Sequence, residues 1–142
     1  MELKHECVRD VLLTIEEHIN YRESYTYNEI AGQPRLKDYN LEDVLYTLDI
    51  LADAKFIKIA KSAKVSGSSL MLGVKSIVNI KETENIKVIS LTYEGHKLLD
   101  NIRDPKIWSE TKTAAKQVAG VSLTILTDIA GSLLKEKLGI GN

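Results

Sequence analysis

Apolar residues recur at three- and four-residue steps along much of this chain, the period of a helix with one buried face. Val8, Val11, Leu12, Ile15 and Ile19 mark a first helix over about Leu3–Asn20, with Arg9, Asp10, Glu16 and Glu17 on its other side. A polar, tyrosine-rich stretch, Tyr21–Thr26, leads into a short helix over Tyr27–Ala31. Gly32 and Pro34 end that helix, because Gly accepts the left-handed C-terminal conformation and Pro cannot continue a helix. Leu41, Val44, Leu45, Leu48, Leu51 and Ala52 form the stripe of a third helix, with Asn40 as N-cap and Glu42 and Asp43 favourable at its start.

The period then changes to two. Phe56–Lys61 and Ile86–Leu91 alternate as strands do. Between them, Ser66–Ser69 reads as a loop, Leu70–Ile80 as a β-rich segment or long wing excursion, and Lys81–Asn85 as a charged turn. Helical spacing returns after Thr92, a candidate N-cap, with Tyr93, His96, Leu98, Leu99 and Ile102. Asp104 and Pro105 suit the cap and first position of a helix to about Ala119, and a last helix spans about Ser122–Leu138.

Helix, short helix, helix, strand, loop, strand, helix is the order of a winged helix-turn-helix. The expected class is mainly α with a small β-hairpin (α+β): a winged-helix domain over 1–103 and a C-terminal helical extension over 104–142. In this arrangement Leu41, Leu45, Leu48 and Leu51 pack on Val11, Leu12 and Ile15.

The stretch Ile89-Ser90-Leu91-Thr92-Tyr93-Glu94-Gly95-His96-Lys97-Leu98-Leu99-Asp100-Asn101-Ile102-Arg103-Asp104 resembles the signature of a YjcQ-like phage and prophage family, domain-of-unknown-function number 2513. Ile107-Trp108, Lys112 and the run from Val121 to Gly139 resemble its C-terminal part, and Val8–Ile19 resembles its opening more loosely. Lys61–Ile80 departs from the family pattern. The resemblance implies a winged-helix fold and a mobile-element origin. It brings no known activity and no catalytic residues.

Composition narrows the function classes. A hydrophobic fraction of 44% and a charged fraction of 27% are those of a folded protein. The single cysteine, Cys7, permits no intrachain disulfide, and neither a signal peptide nor a membrane span is readable, so a cytoplasmic location is expected. Net charge is −1, but its distribution is uneven. Residues 1–54 carry five basic and 12 acidic residues, whereas residues 55–87 carry seven Lys and two Glu.

That basic block holds the best candidate chemistry. Lys55, Lys58, Lys61, Lys64 and Lys75 either neutralise phosphates beside a groove or blunt exposed strand edges. Arg35, Lys37 and Asn40 lie just before or at the start of the third helix and are placed to touch DNA. The helix itself has Glu42, Asp43, Asp49 and Asp53 and no Lys or Arg, leaving Asn40, Tyr46 and Thr47 as neutral base readers. The last helix is too apolar to lie alone in water. Leu126, Ile129 and Leu133 on this helix, with Trp108 on the helix before it, are the candidate interface residues, against a second copy or against the chain's own domain.

Glu94-Gly95-His96 invites a metal or catalytic reading. The three His and Cys7 lack ligand spacing, however. A structural account has Thr92 capping the helix, Gly95 permitting close backbone packing and His96 hydrogen-bonding locally. No enzyme, metal or cofactor is expected. Two readings remain: a phage-type DNA-binding regulator acting through a lysine-rich wing, possible partner duplex DNA and a homodimer, and a module that binds a host or phage protein.

Overall fold

The computed structural model describes residues 1–61, 85–117 and 121–139. It is mainly helical with a small antiparallel sheet, the α+β class expected. The order is α1 (His5–His18), β1 (Tyr25–Thr26), α2 (Tyr27–Ala31), a 3-10 turn (Pro34–Leu36), α3 (Leu41–Asp53), β2 (Ile57–Lys61), β3 (Ile86–Leu91), α4 (Tyr93–Ile102), α5 (Pro105–Ala115) and α6 (Leu123–Leu138). The chain divides into two compact units, Met1–Gly95 and His96–Asn142, and the division falls inside α4.

In the first unit, α1 packs on α3, on the 3-10 turn and on β3, and α3 packs on β2. Its core contains Val8, Val11, Leu12 and Ile15 of α1 with Val44, Leu48 and Leu51 of α3. Leu41 does not join this core: it is 54% exposed, and Leu45 is half-buried. The buried arc of α3 runs through Val44, Thr47, Leu48 and Leu51, and the helical period turns Leu41 to its edge. Thr47 is therefore inside, its hydroxyl donating to the Asp43 carbonyl (2.7 Å), and is not a base reader.

β1 lies in the stretch expected as loop. It forms because Tyr25 pairs with Val88 and Thr26 with Lys87, a pairing that local pattern does not encode. Thr26 also caps α2 in a reciprocal box: its Oγ1 accepts from Glu29 N (3.0 Å) and its N–H donates to Glu29 Oε1 (2.8 Å).

The sheet order is β1-β3-β2. Ile57 faces Leu91 and Lys58 faces Ser90, but Ile59 faces Val88, so Ile89 is an extra residue on β3. Strict alternation would set Leu91 on the face opposite Ile86 and Val88. The bulge resets the phase, and all three are buried.

In the second unit α5 and α6 pack together. Asp104 Oδ1 accepts from the backbone of Lys106 (2.8 Å) and Ile107 (3.1 Å), which also holds its carboxyl below the usual range, and Pro105 opens α5. Ser122 caps α6 through Ile125 N (3.2 Å). Gly139, at φ 72°, closes it in the left-handed conformation that glycine accepts without steric cost. Gly131 lies over Asn101, whose Nδ2 would be 3.3 Å from an added Cβ. Among the described residues no helix is long and apolar enough to cross a membrane.

Candidate nucleic-acid interface

The sheet's outer face follows from its register. Residues paired directly across antiparallel strands share a face, so Lys58 with Ser90, and Ala60 with Lys87 and Thr26, all point away from the core. Lys58, Ala60 and Lys87 are exposed accordingly. Lys61 pairs with Ile86 at the end of β2 and is exposed there. None of these lysines has an ion pair among the described residues, although the Glu29 carboxylate lies close enough to Lys87 to be stabilised by it. Lys87 was not among the expected contact residues; the signal available was its place in the basic block, at the outward phase of the strand.

Lys55 extends this group. α3 ends in a paired closure in which Phe56 N donates to Leu51 O (2.9 Å) and Lys55 N to Ala52 O (3.0 Å). That closure requires a left-handed residue after the cap, a position that glycine usually fills. Here it is Lys55, at φ 64° and exposed. A lysine in this conformation costs about 1–2 kcal/mol relative to an unstrained site.

The same junction accounts for the Thr92–Gly95 part of the signature. Thr92 N donates to Phe56 O (3.0 Å), and its hydroxyl donates to Lys55 O (2.6 Å) while accepting from Gly95 N (3.1 Å). A Cβ on Gly95 would fall on the Phe56 carbonyl oxygen, with Phe56 C at 3.0 Å, so close backbone approach explains the glycine. His96 is exposed and makes no hydrogen bond among the described residues, so the local bond expected of it is not formed. Among the described residues no cluster of His, Cys, Asp or Glu could hold a metal ion.

The remaining expected contact residues are dispersed. Arg35 donates to Glu17 Oε1 (2.6 Å), which commits its charge to α1. Lys37 is exposed just after the 3-10 turn. Asn40 occupies the N-cap position of α3, but its side chain makes no capping hydrogen bond. Lys64 and Lys75, with the loop and β-rich segment between β2 and β3, lie outside the described residues. In the second unit Trp108 (4% exposed) and Leu126 (0%) are enclosed, and Ile129 and Leu133 are half-buried. Any surface for a second copy on α6 would therefore use Ile129 and Leu133, with the exposed Ile125 and Leu138, rather than Trp108 or Leu126.

The family model described as "Hypothetical protein (DUF2513)" matches residues 2–122. The chain belongs to the DUF2513 family. The match covers the first unit from its second residue and reaches the cap of α6, so the junction built by Thr92 and Gly95 lies within the family's span. No curated protein and no solved structure matches this DUF2513 chain.

Proposed function

We propose that this DUF2513 protein is a non-enzymatic winged helix-turn-helix module, of phage or prophage type, that binds duplex DNA as a transcriptional regulator. The fold reading is supported by the succession α1, β1, α2, α3, β2, β3, in which a short first strand is added to the β2–β3 pair. The observation that carries the DNA reading is the exposed lysine set: Lys58 and Lys87 on the sheet's outer face, with Lys55 before β2 and Lys61 at its end, none with an ion pair among the described residues. Lysines so placed neutralise backbone phosphates and give affinity rather than base selection. α3 does not enter the groove in this reading, because its exposed charged residues are all acidic.

The test is fluorescence anisotropy with a labelled duplex over a salt series. The wild-type chain is expected to bind, with log affinity falling against log salt by about 0.9 per phosphate contacted. Lys58→Glu with Lys87→Glu should weaken binding at every sequence and flatten that slope by about 2. An absence of binding at low salt would remove the DNA reading.

A second reading, a module that engages a host or phage protein, is favoured by α3, whose outward side presents Glu42, Tyr46, Asp49 and Asp53 with no cation among them.

A further inference from the structure

The sheet gathers three separate chain segments at one of its ends. β1 and β2 both run antiparallel to β3, so they point the same way, and the residues that precede them leave the sheet where β3 finishes at Leu91. Tyr25 and Ile59 face the same residue, Val88, which aligns the two strands. The turn Asn20–Glu23 ahead of β1, Lys55 ahead of β2 and Tyr93 just after β3 therefore share this end, all within the first compact unit. β1 and β2 stand about 10 Å apart across β3.

Two features set this end apart. The first is aromatic: Tyr21 is 88% exposed and Tyr93 79% exposed, so neither ring serves the core. The second is a pair of cations held in the left-handed backbone conformation, Arg22 (φ 68°) and Lys55 (φ 64°), which are the non-glycine residues with positive φ among the described residues. Arg22 is the third residue of the turn that Glu23 N closes by donating to Asn20 O (3.0 Å), a place that glycine or asparagine fills at lower cost. At both junctions a strained cation stands where glycine would be relaxed. The Arg22 guanidinium lies over the Tyr21 ring, 5.3 Å from its centroid, and neither cation has an ion pair among the described residues. The neighbouring acids have other tasks. Glu23 Oε1 accepts from Asn20 N (3.0 Å), and Glu94 suits the dipole in the first turn of α4.

Exposed rings beside cations fit nucleotides that are not base-paired. Inside a duplex the flat faces of a base are covered by its neighbours, so a protruding ring finds nothing to stack on. An unpaired base offers its face to a tyrosine, and its flanking phosphates attract arginine and lysine. We propose that this end of the sheet takes unpaired nucleotides of a DNA strand, with Tyr21 and Tyr93 stacking on bases and Arg22 and Lys55 neutralising the phosphates between them. The separation of β1 and β2 matches about three nucleotides at about 3.4 Å each. The inference rests on the DNA reading and names the form of DNA that the module prefers. Lys58 and Lys87 continue from this end along the sheet's outer face, where they suit the adjoining duplex, so the preferred ligand is a duplex with a single-stranded extension.

The experiment follows the full chain by fluorescence anisotropy with three labelled DNAs: a blunt duplex, and the same duplex with a run of unpaired thymines at the 3′ or at the 5′ end of one strand. One of the extended duplexes should bind about tenfold tighter than the blunt one. Tyr21→Ala with Tyr93→Ala should abolish that gain and leave both the blunt-duplex affinity and the melting temperature unchanged. Tyr21→Phe with Tyr93→Phe should keep the gain, because a ring without its hydroxyl still stacks. Arg22→Gly with Lys55→Gly preserves both backbone conformations and should weaken the extended duplex more than the blunt one. Equal affinity for blunt and extended duplexes would overturn the inference and leave the DNA reading standing, as would a gain that survives the alanine pair. A gain lost in the phenylalanine pair would also overturn it, by replacing stacking with a hydroxyl contact to phosphate. Failure of all three DNAs to bind at low salt would remove the DNA reading and the inference together.

Discussion

The outer face of the sheet and the outer face of α3 belong to the same compact unit and share one core, yet they carry opposite charge. The sheet presents Lys58 and Lys87, with Lys55 and Lys61 beside them, and α3 presents Glu42, Asp49 and Asp53. A net charge of −1 over the whole chain conceals this separation. Exposed positions on a helix or strand contribute little to stability, typically within about 0.5 kcal/mol, so the fold does not dictate their charge. What they meet does. A module that used α3 as its DNA-reading helix would not line it with three carboxylates, whereas the lysines of the sheet suit an anionic partner and, on the edge strand β2, also blunt that edge. The difference separates two surfaces of opposite charge on one unit.

The junction between the two faces gives the largest test of that comparison. Phe56 joins the end of α3 to β2, and Thr92 and Gly95 fasten it to the start of α4. Gly95→Ala forces a methyl group into the Phe56 carbonyl, and thermal or denaturant unfolding should show a loss of about 3 kcal/mol or more. A loss below about 1 kcal/mol would mean that the junction yields easily and does not fix the two faces. A smaller effect comes from charge. If the acidic face repels DNA held by the sheet, Asp49→Asn with Asp53→Asn should tighten duplex binding severalfold at low salt and leave it unchanged at high salt, because exposed charges beyond about 10 Å are screened. Weaker binding in that variant would place α3 in the DNA contact and merge the two faces.

The smallest effect is at Lys55. Lys55→Gly relieves the left-handed strain but frees the unfolded chain, a net stabilisation of about 0.5–1 kcal/mol. The same variant should lose duplex affinity if the lysine is retained for its charge. Gained stability with unaltered affinity would leave the strained lysine without a binding role.

Much of this was legible from residues alone, for stated reasons. α2 (Tyr27–Ala31), β3 (Ile86–Leu91) and α4 (Tyr93–Ile102) carry their limits in local signals: a glycine and proline stop, a two-residue period, a threonine cap. Asp104 and Pro105 announced the start of α5 in the same way. The capping box of α2 is also written in the Thr26-x-x-Glu29 spacing. Gly95 was legible as a site of close approach, but the atom it approaches, the Phe56 carbonyl, is remote in sequence. Of the contact residues, the outward lysines of the strands could be read from alternation. The commitment of Arg35 to Glu17 could not, because nothing local joins positions 18 residues apart.

The sequence by itself determined the α-helices and the strands β2 and β3, where most helices start and stop, and that the chain's positive charge gathers between Lys55 and Lys87. These are short-range properties: periodicity, capping and composition act within a turn or two. Tertiary structure alone decided the rest. It created β1 by lending it β3 as a partner. It turned Thr47 inward and Leu41 outward by fixing which arc of α3 meets α1. It brought Leu91 back to the core through the bulge at Ile89. It set the buried Tyr27 hydroxyl beside the Asp49 and Asp53 carboxylates of α3. Each of these depends on which surface another element occupies, and that is settled only when distant parts of the chain compete to bury the same apolar area.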